Sequence, residues 1–388
     1  MTTDRPPKTA LQVTLIGFAA LASAMGVGRF AFTPLLPLMQ AHSGMSLRQG
    51  AWLAGGNYIG YLVGAMLCSV RVPATRHAVR YGLVAVALLT LGMGVTDRYG
   101  VWLVLRFGAG VASAYVLVGV SAWALPALAG HDRSVWSGWL FAGVGVGISL
   151  AGLLVLLAGA RGVPPAGSWV ALGLASTAVA AIAWAPMRTA GAFAASHTQH
   201  TGRLGADGWR LVLCYGTFGF GYIIPATFLP AMARDVIPDP AVFGWVWPVF
   251  GATAALSTVA VALGSSQMPA RRVWALGQLV MAAGVLVPVL WPGIAALLVA
   301  AVCVGGTFVA MTMAGLQEAR RIAGAHAPRL MAAMTAAFAL GQLAGPIVVA
   351  LAAADGTRHA AGPSLLAVAL LLLGAWALRC SQPVQPTL

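Results

Sequence analysis

The stretch "GVGRFAFTPLLPLM", residues 26–39, lies inside an apolar run that begins near Leu11. One arginine, Arg29, interrupts it, and Pro34 and Pro37 follow. A charge at the centre of a membrane helix costs about 2.5–3.5 kcal/mol on insertion scales. Two prolines nearby remove backbone N–H donors from the same helix. A segment that accepts both costs is a spanning helix with a task beyond spanning.

The rest of the chain supports the membrane reading. Of 388 residues, 60% are hydrophobic and 8% charged, against about 45–50% and 25% in ordinary globular domains. The apolar runs are continuous over roughly 20 residues, the length of a spanning helix. Barrel strands would instead alternate over about ten. The expectation is an all-α integral membrane protein with twelve spans, at 11–39, 48–69, 77–95, 99–128, 134–158, 167–187, 209–233, 241–263, 272–290, 293–316, 329–353 and 361–379. Arg5, Lys8 and Ala22-Ser23-Ala24 imitate a cleaved leader. The apolar run continues to Met39, so the segment reads as the first span.

Charge placement orients the spans. With the N-terminus in the cytoplasm, the termini and even-numbered loops hold 15 of the 22 basic residues and the odd loops hold 5. Cytoplasmic loops carry the excess of Lys and Arg, so both termini are expected inside. The net charge of +14 does not point to nucleic acid, because the arginines form short clusters between apolar spans. Cys68, Cys214, Cys303 and Cys380 are far apart, without metal spacing, and read as small packing residues.

The polar segment 188–208, rich in Gly, Ala and Thr, reads as a flexible linker between an N-terminal half, 1–187, and a C-terminal half, 209–388. Its His197 and His200 read as solvated residues. The halves share a sparse pattern. Gly26, Gly28, Leu36, Pro37, Met39 and Trp52 meet Gly219, Gly221, Leu229, Pro230, Met232 and Trp245 at a constant offset. A GxxxG at Gly143 and Gly147 has a counterpart at Gly341 and Gly345. Two parallel six-helix repeats would place them so.

These residues resemble the major facilitator superfamily over essentially the whole chain. The stretch at 26–39 is similar to the first-helix signature of its YbfB/YjiJ-like branch. "RFGAG", Arg106 to Gly110, resembles the fourth-helix Arg-x-x-x-Gly motif, and "GQLAGP", 341–346, resembles a Gly-Pro motif usually found in the fifth helix, here in the eleventh. The loop "SVRVPATRHAVRYG" keeps Arg71, Arg76 and Arg80 but lacks the aspartate that the superfamily usually carries there. The resemblance implies two pseudo-symmetric six-helix bundles, a bacterial inner-membrane location and transport by rocking of the halves. It also implies that the first and fourth helices line a central cavity.

Of the basic residues, Arg29 and Arg106 alone fall deep inside the expected spans, the others lying outside them or within about a turn of their ends, and the acidic residues fall outside the spans or at their ends. Arg29 lies roughly 16 Å and Arg106 roughly 11–12 Å from the outer ends of their spans, at 1.5 Å per residue. Guanidinium forks match carboxylates in bidentate fashion, so the pair suggests a bound organic anion. Two other readings stand beside this one: Arg106 clamps carbonyls of the first helix, or Arg29 snorkels outward. Weaker candidates for the same site are Tyr222, the repeat counterpart of Arg29, with Tyr215 and Phe218 on its face; Asn57, which shares a face with Tyr61; and Gln342.

The expected activity is secondary transport of a small organic anion, a carboxylate, by a monomer in the lipid bilayer, with no cofactor. An exporter of apolar or amphipathic compounds is the alternative within the class, given the Trp- and Phe-rich spans. A membrane-embedded enzyme would need a nucleophile–base pair or metal set that the spans do not offer. A non-transporting sensor would need a soluble domain. No P-loop is present, since the one lysine is Lys8. The arginine bias makes a direct prediction: a reporter fused after Gly202 is active in its cytoplasmic form. Activity of a periplasmic reporter at that position would contradict the orientation.

Overall fold

The computed structural model describes residues 10–70, 74–128, 133–188, 205–236, 244–264, 268–291, 293–354 and 361–379. Most of the 188–208 linker, with His197 and His200, and also Arg71 and Cys380, lie outside these residues. The described chain is helical, with no cis peptide bond. Twelve spans are present. The first runs over Ala10–Ser43 in two pieces; the second is Leu47–Val70, the third Thr75–Gly94, the fourth Tyr99–Ala127, the fifth Arg133–Ala160 and the sixth Pro165–Arg188. The seventh is Ala206–Val236, the eighth Val246–Gly264, the ninth Ala270–Leu290, the tenth Ile294–Ala323, the eleventh Ala327–Ala354 and the twelfth Ala361–Arg379. Among the described residues nine spans are long and apolar enough to cross a membrane. The second, seventh and eleventh fall outside that set, and the eleventh packs on both of the others.

The contacts repeat with a period of six helices. The second packs on the fourth, the third on the fourth and sixth, and the first on the fifth. Correspondingly the eighth packs on the tenth, the ninth on the tenth and twelfth, and the seventh on the eleventh. The seams between the halves obey the same symmetry: fifth against eighth and second against eleventh.

Small residues make these approaches possible. Gly143 and Gly147 lie on the backbone of Phe18 and Ala22 in the first span, and their counterparts Gly341 and Gly345 lie on Gly216, Phe220 and Ile223 in the seventh. On the fifth–eighth seam a Cβ at Gly145 would meet the Gly251 carbonyl oxygen at 2.6 Å, and a Cβ at Gly152 would meet Pro248 at 2.9 Å. Ser149 Oγ donates to the Pro248 carbonyl across this seam at 2.9 Å.

Two expectations need correction. The first span is not one continuous helix. After Ala10–Leu21 it passes into a π-helical turn, Ala22–Val27, and then a non-helical turn before the helix resumes over Phe32–Ser43. Gly28 N–H bonds to Ser23 O at 3.0 Å and Phe30 N–H to Met25 O at 3.1 Å, each spanning five residues rather than four. Gly26 and Gly28 weaken the helix here. Pro34 sits in the first turn of the resumed helix, where a missing N–H costs little. The span ends at Gly44, whose φ of 67° and ψ of 17° form a left-handed cap that donates to Gln40 O.

The second correction concerns Glu318. It was expected beyond the end of the tenth span at residue 316, but the helix continues to Ala323 and Glu318 is 2% exposed. Its carboxylate accepts from Arg271 Nε, and from Arg321 Nε and Nη2 at 2.7 Å each. Arg271 also pairs with Asp207, which holds Arg210 at 3.3 Å. This network joins the ends of the seventh, ninth and tenth spans. Pairing of both charge signs lets the helix continue beyond the apolar run.

Candidate functional site

The break in the first span creates an accounting problem. Residues 21–32 are almost wholly buried, and inside a bilayer no water reaches carbonyls released from a helix. Side chains from the second and fourth spans satisfy them. Arg106 Nη1 donates to Gly28 O and Nη2 to Arg29 O, both at 3.3 Å. Asn57 Nδ2 donates to Arg106 O at 2.9 Å and lies 3.4 Å from Gly28 O. Ser113 Oγ, two turns along from Arg106, reaches Ala24 O at 2.7 Å.

The Arg-x-x-x-Gly spacing supplies this geometry. Gly110 packs on the backbone of Asn57 and Tyr61, so any side chain there would drive the second span away. Gly28 is also a requirement: a Cβ would lie 2.7 Å from Ala24 O and 3.0 Å from Ser113 Oγ. Arg106 is 2% exposed and its guanidinium carbon stands 4.8 Å from the Phe32 ring centre. Its charge is therefore met by carbonyl dipoles and a ring, and only its Nε has no hydrogen-bond partner among the described residues.

Arg29, also 2% exposed, points the other way. Its Nη2 donates to Gln342 Oε1 on the eleventh span, across the seam between the halves. Its guanidinium lies on the face of Tyr61, 3.6 Å from the ring centre, with Phe30 at 5.4 Å, Phe338 at 5.8 Å and Tyr58 at 6.0 Å. Such contacts favour a desolvated cation. Arg29 Nε and Nη1 nevertheless have no hydrogen-bond partner among the described residues, and neither do Gln342 Nε2 and Tyr222 OH. Each is buried. An unmade bond to a buried polar group costs about 1–3 kcal/mol, more for a charged one.

The six sequence candidates therefore separate. Arg29, Gln342 and Tyr222 border one central region, with Tyr222 held by stacking on Phe308 at 4.4 Å and edge-on to Phe30 at 6.4 Å. Arg106 and Asn57 hold the broken helix that presents Arg29. Tyr215 lies behind the site, its ring against Phe218, Trp274 and Phe338 at 5.5 Å each. The aromatic members Phe30, Phe308 and Phe338 were not singled out from sequence. Phe30 adjoins Arg29 and Phe338 lies one turn before Gln342, so the i−4 neighbour of a buried polar residue was the available signal. No group of three or more His, Cys, Asp or Glu among the described residues is placed to hold a metal.

Two like six-helix halves closed round a buried, partly unbonded cation have the organisation of a membrane transporter. The family described as "Uncharacterised MFS-type transporter YbfB" matches residues 21–379, and the chain belongs to that family of major facilitator transporters. It is a transporter, not an enzyme. Among solved structures it is similar to the human organic anion transporter MFSD10 (TETRAN), with a TM-score of 0.72 at 16% identity over 96% of this chain and 100% of that one. It is also similar to the nucleoside transporter NupG, with a TM-score of 0.65 at 13% identity over 95% and 98% of the two chains. At those identities the likeness is one of fold. No curated protein sequence matches.

The clamp makes its own prediction. Arg106→Ala removes two charged donors, strands the Arg29 carbonyl and leaves that of Gly28 with Asn57 alone, so it lowers stability by about 1.5–3 kcal/mol or more. Arg106→Lys recovers part of this, because one ammonium cannot span both carbonyls as the fork does. Melting of the purified variants in detergent measures it. An Arg106→Ala protein that melts at the wild-type temperature would remove the clamp from the account.

Proposed function

We propose that this protein carries a small organic anion, a carboxylate, across the membrane by alternating access, with Arg29 as its principal ligand. The observation that carries the reading is the buried Arg29 guanidinium with Nε and Nη1 unbonded. A carboxylate that takes Nη2 from Gln342 pairs it with Nε in bidentate fashion and so satisfies one of them. The human organic anion transporter that shares the fold agrees in cargo class.

The roles divide between the halves. Arg29 comes from the first, Gln342 and Tyr222 from the second. Without substrate, Gln342 Oε1 takes the place of a carboxylate oxygen on Arg29 Nη2. An arriving carboxylate displaces it, and the Gln342 amide and Tyr222 hydroxyl become donors to the anion. One ligand then bridges both halves, which links binding to their movement. In this proposal Arg106 and Asn57 position Arg29 rather than touch the substrate, and Tyr215 supports Phe338 from behind. The halves are residues 1–187 and 209–388, joined by the cytoplasmic linker 188–208, in a bacterial inner membrane with both termini inside.

The test compares binding with stability. Arg29→Ala removes a charge-assisted contact worth about 1.5–3 kcal/mol, weakening anion affinity roughly ten- to a hundred-fold. It also removes a buried charge that is only partly bonded, so melting temperature holds or rises. Arg29→Lys keeps the charge without the planar fork and recovers part of the affinity. A destabilised Arg29→Ala protein with unchanged affinity would take Arg29 out of the binding site.

A further inference from the structure

We infer that the anion is a monoanion with a flat aromatic body, an arylcarboxylate, rather than a dicarboxylate or a short aliphatic acid; this rests on the anion reading above. Two independent features of the site carry it.

The first is the charge available. The membrane interior holds two arginines, and Arg106 has both terminal nitrogens on the carbonyls of Gly28 and Arg29. Arg29 alone has a terminal nitrogen, Nη1, and also Nε without a partner among the described residues. These two nitrogens do not share an edge of the planar guanidinium, so the Nε–Nη2 edge accommodates one carboxylate when Gln342 Oε1 leaves Nη2. A second carboxylate on the same molecule would enter the hydrocarbon interior against neutral amide, hydroxyl and ring surfaces, at a desolvation cost that nothing there offsets.

The second is what surrounds that edge. Tyr61, Phe30 and Phe338 encircle the guanidinium. Phe308 lies edge-on to Phe30 at 5.6 Å and stacked on Tyr222 at 4.4 Å, and Phe338 lies 6.0 Å from Tyr222 with the rings nearly parallel. Phe30 and Tyr61 belong to the first half, while Tyr222, Phe308 and Phe338 belong to the second. The Phe30–Phe308 and Phe30–Tyr222 contacts therefore cross the seam that opens when the halves rock. A planar ring attached to the carboxylate on Arg29 enters between them, exchanging edge contacts across the seam for ring contacts on both sides. Aromatic groups favour offset-stacked and edge-on partners over aliphatic ones. Packing a hydrophobic core does not require this collection of rings around a cation with unbonded N–H groups. Holding an amphipathic anion does.

The experiment uses the purified full chain in detergent and four probes: benzoate, cyclohexanecarboxylate, succinate and neutral benzamide, followed by calorimetric titration and thermal shift. Benzoate is expected to bind. Cyclohexanecarboxylate, with the same charge on a saturated ring, binds roughly two- to tenfold more weakly. Succinate and benzamide give no detectable binding. Phe308→Leu narrows the difference between benzoate and cyclohexanecarboxylate; Phe30→Leu is the second variant should the first fail to fold. Succinate or cyclohexanecarboxylate binding as well as benzoate overturns the aromatic inference and leaves the anion reading intact. Benzamide binding as well as benzoate, or binding by no carboxylate, overturns the anion reading beneath it.

Discussion

Within a bilayer, a helix that unwinds must find partners for every carbonyl it releases. The first span unwinds between Ala22 and Ala31, and the Arg106 guanidinium holds two of the exposed carbonyls, Gly28 jointly with Asn57, while Ser113 serves Ala24. The remaining site geometry follows from that arrangement. Because Arg106 and its neighbours on the fourth span bind the backbone of Gly28 and Arg29, the Arg29 side chain is free to leave its own half. Because Gly110 lets the second span lie against the fourth, Tyr61 arrives beneath that side chain at 3.6 Å. One buried arginine fixes the conformation that exposes the other.

The two arginines thus answer the same electrostatic problem in opposite ways. Arg106 is met by dipoles of a backbone that would itself be unsatisfied without it, so burial of charge and burial of carbonyls offset each other. Arg29 is met by rings and one amide oxygen, which is incomplete, and in the proposed function that deficit is what binds the anion. The deficit also lies on the seam between the halves, at the Gln342 contact. A filled site and an empty site then differ in the forces that hold the halves together, which is the property alternating access requires.

Much of this was legible in the sequence, and the parts that were not have physical reasons. Apolar run length located the twelve spans, because bilayer thickness imposes it. The repeated GxxxG pairs foretold matching helix contacts in the two halves, since small residues leave a mark wherever backbones touch. The oddity of Arg29 and Arg106 was visible because charge in an apolar run is rare. That Arg106 clamps carbonyls of the first helix stood among the sequence readings, but the choice between them was not legible, because it depends on which way each side chain leaves a helix whose break hydropathy does not register. Gly26, Gly28 and the two prolines hinted at the break without locating the π turn. The end of the tenth span was set short for a related reason: hydropathy ends at Leu316, while the helix runs on to Ala323 with Glu318 paired to Arg271 and Arg321. Tyr215 shares a face with Tyr222, and its ring lies against Phe338.

The central claim is that an anion replaces Gln342 on Arg29 Nη2, between rings of the two halves. A structure of the protein with para-bromobenzoate, located by the anomalous scattering of its bromine, tests this most directly. The account predicts the bromine among Phe30, Phe308 and Tyr222, the carboxylate on Arg29, and Gln342 Oε1 no longer on Arg29 Nη2. Bromine density elsewhere, with the Arg29–Gln342 hydrogen bond intact, would contradict it.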